Sequence, residues 1–174
     1  MEYQKERFEA EIDVESYIEG FVDVETFLEC CHACPGFGKS WMCPPFDFDP
    51  LDYWRAHEKL RVVGYRLSFG EDRTQEEMNA ALWEVKRIVA DELYELEEQY
   101  PGSVSLSAGD CQVCKECTRP EGLPCRFPER ARHSIESIGG NVGKTTSKLC
   151  GIEIKCIEDG RLPDHYVLVG GLLI

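Results

Sequence analysis

The residue pattern predicts an α+β fold: a small, mostly antiparallel sheet with a long helix packed on it and cysteine-rich metal-binding loops at one end. Three observations carry this. Short runs alternate apolar and polar residues with a period of two. One long segment repeats its apolar residues at helical spacing. Glycine, proline and cysteine concentrate in residues 30–45 and 109–127, where they oppose regular structure. With 174 residues the chain is expected to form a single domain, 1–174, in which those two loops make a metal-binding lobe. A chain of this length buries roughly 70% of its unfolded surface. It therefore folds without needing its ten cysteines as disulfides.

Residues 1–29 are acidic and mixed, with Phe8, Ile12, Tyr17, Ile18, Phe21 and Val22 as apolar anchors and Gly20 interrupting any long helix. Asp23 can cap a short helix through Glu29 that delivers Cys30 and Cys31 from its C-terminal end. Asp49-Pro50 starts a helix running to about His57, since aspartate caps and proline fits the first helical position. Arg61 to Phe69 reads as a strand with Val63, Tyr65, Leu67 and Phe69 on one face. Thr74 and Glu77 form a capping box that opens the longest helix, residues 74–99. Strands follow at 104–108, 152–157 and 165–174. Between them, Pro128 starts a helix with Ala131, Ile135 and Ile138 on one face, and Asn141 caps another through about Lys148.

The formal net charge of −14 argues against nucleic acid and anionic membrane as partners, both of which require a basic footprint. Acidity can instead steer docking onto a basic patch of another protein. The opening residues are charged and lead into no apolar stretch, and no apolar run nears the ~20 residues of a membrane span. The expectation is a cytoplasmic protein, whose thiols serve as metal ligands or redox groups in a reducing compartment.

The chemistry concentrates at Cys111-x2-Cys114-x2-Cys117, closed by Cys125. Three thiols at strict two-residue intervals can wrap three corners of a [4Fe–4S] cube, as in bacterial-type ferredoxins, with a fourth ligand from farther along. Four cysteines also suit tetrahedral zinc, although zinc sites more often pair two C-x2-C units a dozen or more residues apart. A second group comprises Cys30, Cys31, Cys34 and Cys43, with His32 inside the loop. Gly36 and Gly38 let backbone N–H groups approach sulfur there. Cys30 and Cys31 are adjacent, and two neighbouring thiols do not comfortably bind one metal. One cluster is expected at Cys111–Cys125, and a second has ligands available at Cys30–Cys43.

Other candidates are weaker. Gly139-Gly-Asn-Val-Gly-Lys144-Thr resembles a phosphate-binding loop, but Ile138 stands where that motif needs glycine. His133 lies one helical turn from Glu129 and could pair with it at the surface. Arg126 and Arg130 flank the cysteine loop, where they could stabilise an anionic centre or pair with Glu129 and Glu136. Cys156 shares a strand face with Ile152 and Ile154 and is expected to pack in the core.

Two motifs together carry a resemblance. Cys30-x3-Cys34-Pro35…Gly38-Lys39…Cys43-Pro44-Pro45 is the first. The second runs from Gly109-x-Cys111-x2-Cys114-x2-Cys117 through Pro124-Cys125-Arg126-x-Pro128-Glu129 to Arg132-x-Ser134-x-Glu136-x-x-Gly139. The chain resembles the "predicted metal-binding protein" family, domain of unknown function 2284, from about Cys30 to the end. The resemblance implies two cysteine motifs that bind metal, iron–sulfur in kind. It assigns Cys30, Cys34 and Cys43 to one group and Cys111, Cys114, Cys117 and Cys125 to the other. Cys31 beside Cys30 departs from that pattern. The expected function is an iron–sulfur protein passing electrons to or from a larger redox enzyme. The alternatives are a structural zinc or interaction module, and a redox enzyme whose cluster leaves one iron open to substrate.

Overall fold

The computed structural model describes residues 2–174. Its centre is an antiparallel sheet in the order β1-β2-β4-β3, built from β1 (Tyr3–Asp13), β2 (Lys59–Phe69), β3 (Val104–Leu106) and β4 (His165–Leu173). β2 pairs on both sides, with β1 and with β4, so its residues are buried on both faces. On one face Val63, Tyr65, Leu67 and Phe69 meet Met78, Ala81, Val85, Val89 and Leu93 of the long helix α4 (Gln75–Gln99). The Thr74–Glu77 capping box is present, with both side chains bonded to backbone N–H groups. Gly64 faces the other way, where a Cβ would come within 2.4 Å of the Phe8 ring and of the Leu168 carbonyl oxygen.

The opposite face carries a second core of Val14, Tyr17, Trp54, Leu60, Ile135 and Ile138. Two short helices contribute to it, α1 (Val14–Phe21) and α3 (Pro50–Arg55), while α2 (Val24–His32) lies between them in sequence and has no buried residue. Asp23 accepts from the Thr26 N–H and Asp49 from the Leu51 N–H, so both expected caps form. Trp54 is fully buried, and its indole N–H donates to the Ile138 carbonyl at 2.9 Å. A last helix, α5 (Val142–Thr145), continues as a π-type turn over Thr146–Cys150; its cap, Asn141, accepts from the Lys144 N–H.

Three segments differ from expectation. Residues 3–13 form a full edge strand. Phe8, Ala10 and Ile12 alternate with charged residues, a pattern that suits an edge with one wet face. Glu11 reaches across to Lys59 and Arg61 on β2. The stretch after Pro128 turns on the Phe127 carbonyl and then extends, because Ser107 at the end of β3 bonds to His133 and bridges Ser134. Only Glu136–Ile138 is helical there, as a single 3₁₀ turn, although Ala131, Ile135 and Ile138 are buried as expected. Residues 152–157 are irregular. The alternating run does not join the sheet, although β3 pairs only with Gly171, Leu172 and Leu173 of β4. Cys156 is consequently exposed, not packed in the core. The segment is fastened to the start of β4 through the His165 ring against the Glu153 carbonyl and through Lys155 to Asp164.

Candidate metal centre

The Cys111 loop leaves the sheet through a defined turn. The Ser107 hydroxyl donates to the Gly109 carbonyl, and Gly109 takes a φ of 79°, which a side chain would strain. Asp110 is then held by Lys86 of α4 at 2.6 Å. Farther along, the Thr118 hydroxyl donates to the Pro124 carbonyl and Arg126 donates to the Glu116 carbonyl, each at 2.8 Å. These bonds fold the loop back so that Cys111, Cys114, Cys117 and Cys125 line one cavity of about 210 Å³. Cys43 lines it too, so the two cysteine stretches that are far apart in sequence meet here.

The backbone N–H groups of Val113 and Arg132 lie near the Cys111 sulfur and favour its charged form. Burial raises the pKa of this thiol, those two N–H groups oppose the rise, and the neighbouring thiols Cys125 and Cys114 add to it. N–H donors aimed at sulfur favour the thiolate, which is the form that ligates metal. All four thiols of this group are half-buried.

The second group hangs from the end of α2. Cys30 and Cys34 are exposed, and Cys31 and Cys43 half-buried. The Gly36 N–H donates to the Cys34 sulfur at 3.4 Å. The Cys43 thiol is pushed up to about 11, mainly by burial, against a hydrogen bond from Ser40; Asp110, Cys31 and Cys34 raise it further. Cys31 is raised by burial, then by Cys34, Glu136 and Cys30. Cys34 therefore acts on both Cys31 and Cys43, Cys31 acts on Cys43, and Cys30 acts on Cys31. His32 stacks on Phe37, ring centroids 4.3 Å apart.

Arg119 joins the two loops, and no motif in the sequence marks it. Its guanidinium donates to the carbonyls of Ser40, Cys43 and Pro45 and lies over the Trp41 ring. Trp41 returns a bond from its indole N–H to the Leu123 carbonyl at 3.0 Å. His133 is buried, not paired at the surface with Glu129: its Nδ1 lies 3.1 Å from the Met42 carbonyl, beneath Phe46, Phe48 and Tyr53. Arg126 is engaged with the loop backbone, and Arg130 stacks on Tyr94. Arg132 forms a two-pronged pair with Glu97 of α4, both bonds 2.7 Å. Cys150 packs half-buried against the second core, away from both groups. Among the described residues, no three His, Cys, Asp or Glu side chains converge on one point to hold a single ion. The thiols instead surround a space.

Fold and site together define a class: an α+β scaffold whose two cysteine loops dock to enclose a thiol-lined cavity. The sequence matches the family described as "Predicted metal-binding protein (DUF2284)" over residues 15–174, and the chain belongs to that family. No curated protein and no solved structure matches it.

Proposed function

We propose that this protein binds an iron–sulfur cluster at Cys111, Cys114, Cys117 and Cys125 and serves in electron transfer with a larger redox protein in the cytoplasm. The observation that carries the reading is the cavity: four half-buried thiols in a C-x2-C-x2-C…C order around about 210 Å³. The donor set fits a thiophilic centre, because thiolates are soft ligands and the N–H groups favour their charged form. When bound, such a cluster supplies one-electron redox chemistry; the chain supplies ligands, N–H···S bonds and a partly dry surround. Cys34 and Cys43, with Cys30 or Cys31, form a second ligand set. Leu123 and Phe127 flank Cys125 and are 50% and 42% exposed. They give a partner an apolar foothold beside the site, within an acidic surface that suits a basic docking patch.

Anaerobic purification followed by iron, sulfide and zinc analysis tests the reading. The expected result is brown protein with about four irons and four sulfides per occupied site. Colourless protein carrying stoichiometric zinc would overturn it in favour of a structural zinc module.

A further inference from the structure

A cavity of about 620 Å³ lies between α4, β4 and α5, and Tyr166, Val167, Leu168 and Val169 all line it. Successive residues of a strand point to opposite faces of the sheet, so a cavity that touches this whole run lies along the edge of β4. The backbone is open along that edge. Asp164 gives its carbonyl to the Phe69 N–H, and Ile174 exchanges backbone bonds with Lys59, so the even-numbered positions face β2. The odd-numbered ones therefore turn their N–H and C=O groups away from β2. β3 takes up Gly171 and Leu173, opposite Leu106 and Val104. On that side His165, Val167 and Val169 have no backbone partner among the described residues. His165 and Val169 are buried, where an unpaired backbone group is costly.

The chain just before β4 is already folded as the start of a matching hairpin. The Arg161 N–H donates to the Glu158 carbonyl at 2.8 Å and the Glu158 N–H to the Arg161 carbonyl at 3.3 Å. Between them Asp159 and Gly160 have φ of 49° and 74°, the two positive values of a tight hairpin turn whose twist suits paired strands. Counting outward from that closing pair sets Cys156 opposite Pro163, Lys155 opposite Asp164, Ile154 opposite His165 and Ile152 opposite Val167. Lys155 and Asp164 are paired at 3.0 Å, and the His165 ring lies 2.8 Å from the Glu153 carbonyl, as this register requires. Every second pair from the turn exchanges backbone bonds, so Cys156–Pro163 is the next one due. Proline has no N–H to give, and the ladder stops there. Beyond it Ile154 and Ile157 stand exposed, with Ile154 and Lys155 at the rim of the cavity.

We propose that residues 152–157 are a strap that zips onto the open edge of β4, opposite His165 and Val167, and closes this cavity. The cavity wall continues into Gly109 and Asp110 at the root of the Cys111 loop, so the strap controls access to the space beside that loop. Closing it exchanges the present bond from the Ile152 N–H to the Thr146 carbonyl for bonds to β4. The device is independent of which metal the thiols hold.

The test is residue-resolved hydrogen–deuterium exchange on the full, reduced, metal-loaded chain. In the parent, exchange is expected to be slower at Ile154, Cys156, His165 and Val167 than at Glu153, Lys155 and Ile157, because only alternate N–H groups face the partner strand. Pro163→Val supplies the missing donor and is expected to slow the first four amides about tenfold, the effect of one added ladder bond. Gly160→Val opens the turn, since a β-branched residue is strained at a φ of 74°, and is expected to speed them about tenfold. That second variant keeps the test decisive if Pro163→Val, at a buried position, fails to fold. Uniform exchange across residues 153–157, or rates that Gly160→Val leaves unchanged, would overturn the proposal. So would alternating protection that grows with protein concentration, because a second copy and not the strap would then occupy the edge.

Discussion

The two thiol groups are built on opposite principles. The Cys111–Cys125 loop is anchored at both ends and across its middle. It starts from β3 through the Ser107–Gly109 turn and folds back on Thr118 and Arg126. The Cys30–Cys43 stretch leaves the end of α2, and two of its four thiols stand exposed. One group is preorganised, the other largely waits for its ligand. A preorganised set loses less conformational entropy on binding, so it should hold metal more tightly. Cys43 complicates this division, because it belongs to the second stretch yet lines the first group's cavity.

The largest effect that can break the comparison is ligand removal. Cys114→Ser is expected to abolish metal at the Cys111 site and Cys34→Ser to spare it, as read by metal content per folded chain. Dialysis against a chelator should strip the Cys30–Cys43 group first. If Cys34→Ser and Cys114→Ser each remove all the metal, the two groups are one site joined through Cys43.

The joint between the groups is next in size. Arg119→Met deletes charge-assisted bonds to three carbonyls of the Ser40–Pro45 segment. Because charged hydrogen bonds contribute about 1.5–3 kcal/mol each and do not add fully, a loss of about 3 kcal/mol is expected. In a chain of this length that corresponds to a fall in Tm of roughly 6–12 °C. Metal at the second group should weaken more than at the first, since the first keeps its own backbone bonds. Equal weakening at both would make the two loops a single mechanical unit.

Arg119 also shows where sequence reading stops. The four-cysteine spacing, the Thr74–Glu77 box and the Asp23 and Asp49 caps are local patterns, and each is found in the structure because its partners lie within a few residues. The apolar faces of β2 and α4 were legible for the same reason. Arg119 acts across a gap of 74–79 residues, and its acceptors are backbone carbonyls, which leave no trace in residue identity. The run 152–157 failed because period two describes an alternation of residues and names no pairing partner; the segment is instead tied to the start of β4 by side-chain contacts at Glu153 and Lys155. Residues 3–13 failed for the converse reason, since their charges hid a strand that needs only one dry face.

A smaller effect tests the anchoring of the first group from below. Arg132, whose backbone N–H lies near the Cys111 sulfur, gives its guanidinium to Glu97. Burial alone would raise the Glu97 pKa, but the bonds from Arg132 and Ser105 outweigh it and hold the carboxyl below its ordinary value. A depressed folded pKa contributes stability above the unfolded value of about 4.3, and that contribution is lost as pH falls from there through the folded value. Glu97→Gln is expected to cost about 1.5 kcal/mol at pH 7, allowing for solvent screening. The Tm difference from the parent should close below about pH 4. A difference that persists unchanged at pH 3 would show that the glutamate acts by shape and not by charge.

The smallest expected difference lies between two adjacent residues. Cys30 is exposed and acts on Cys31 alone among the perturbed thiols, whereas Cys31 is half-buried and is felt by Cys43. The resemblance read from the sequence implies Cys30, and the electrostatic neighbourhood favours Cys31. One helical position separates them by about 100° around α2, so only one can face Cys34 and Cys43 without unwinding the last turn. Cys31→Ser should therefore lower metal content at the second group more than Cys30→Ser, while the Cys111 site stays filled in both. The reverse order would mean that the end of α2 unwinds when metal binds, turning Cys30 inward. Loss in both variants would give the second group four thiolates of its own, Cys30, Cys31, Cys34 and Cys43, and would return Cys43 from the shared cavity to the stretch it comes from.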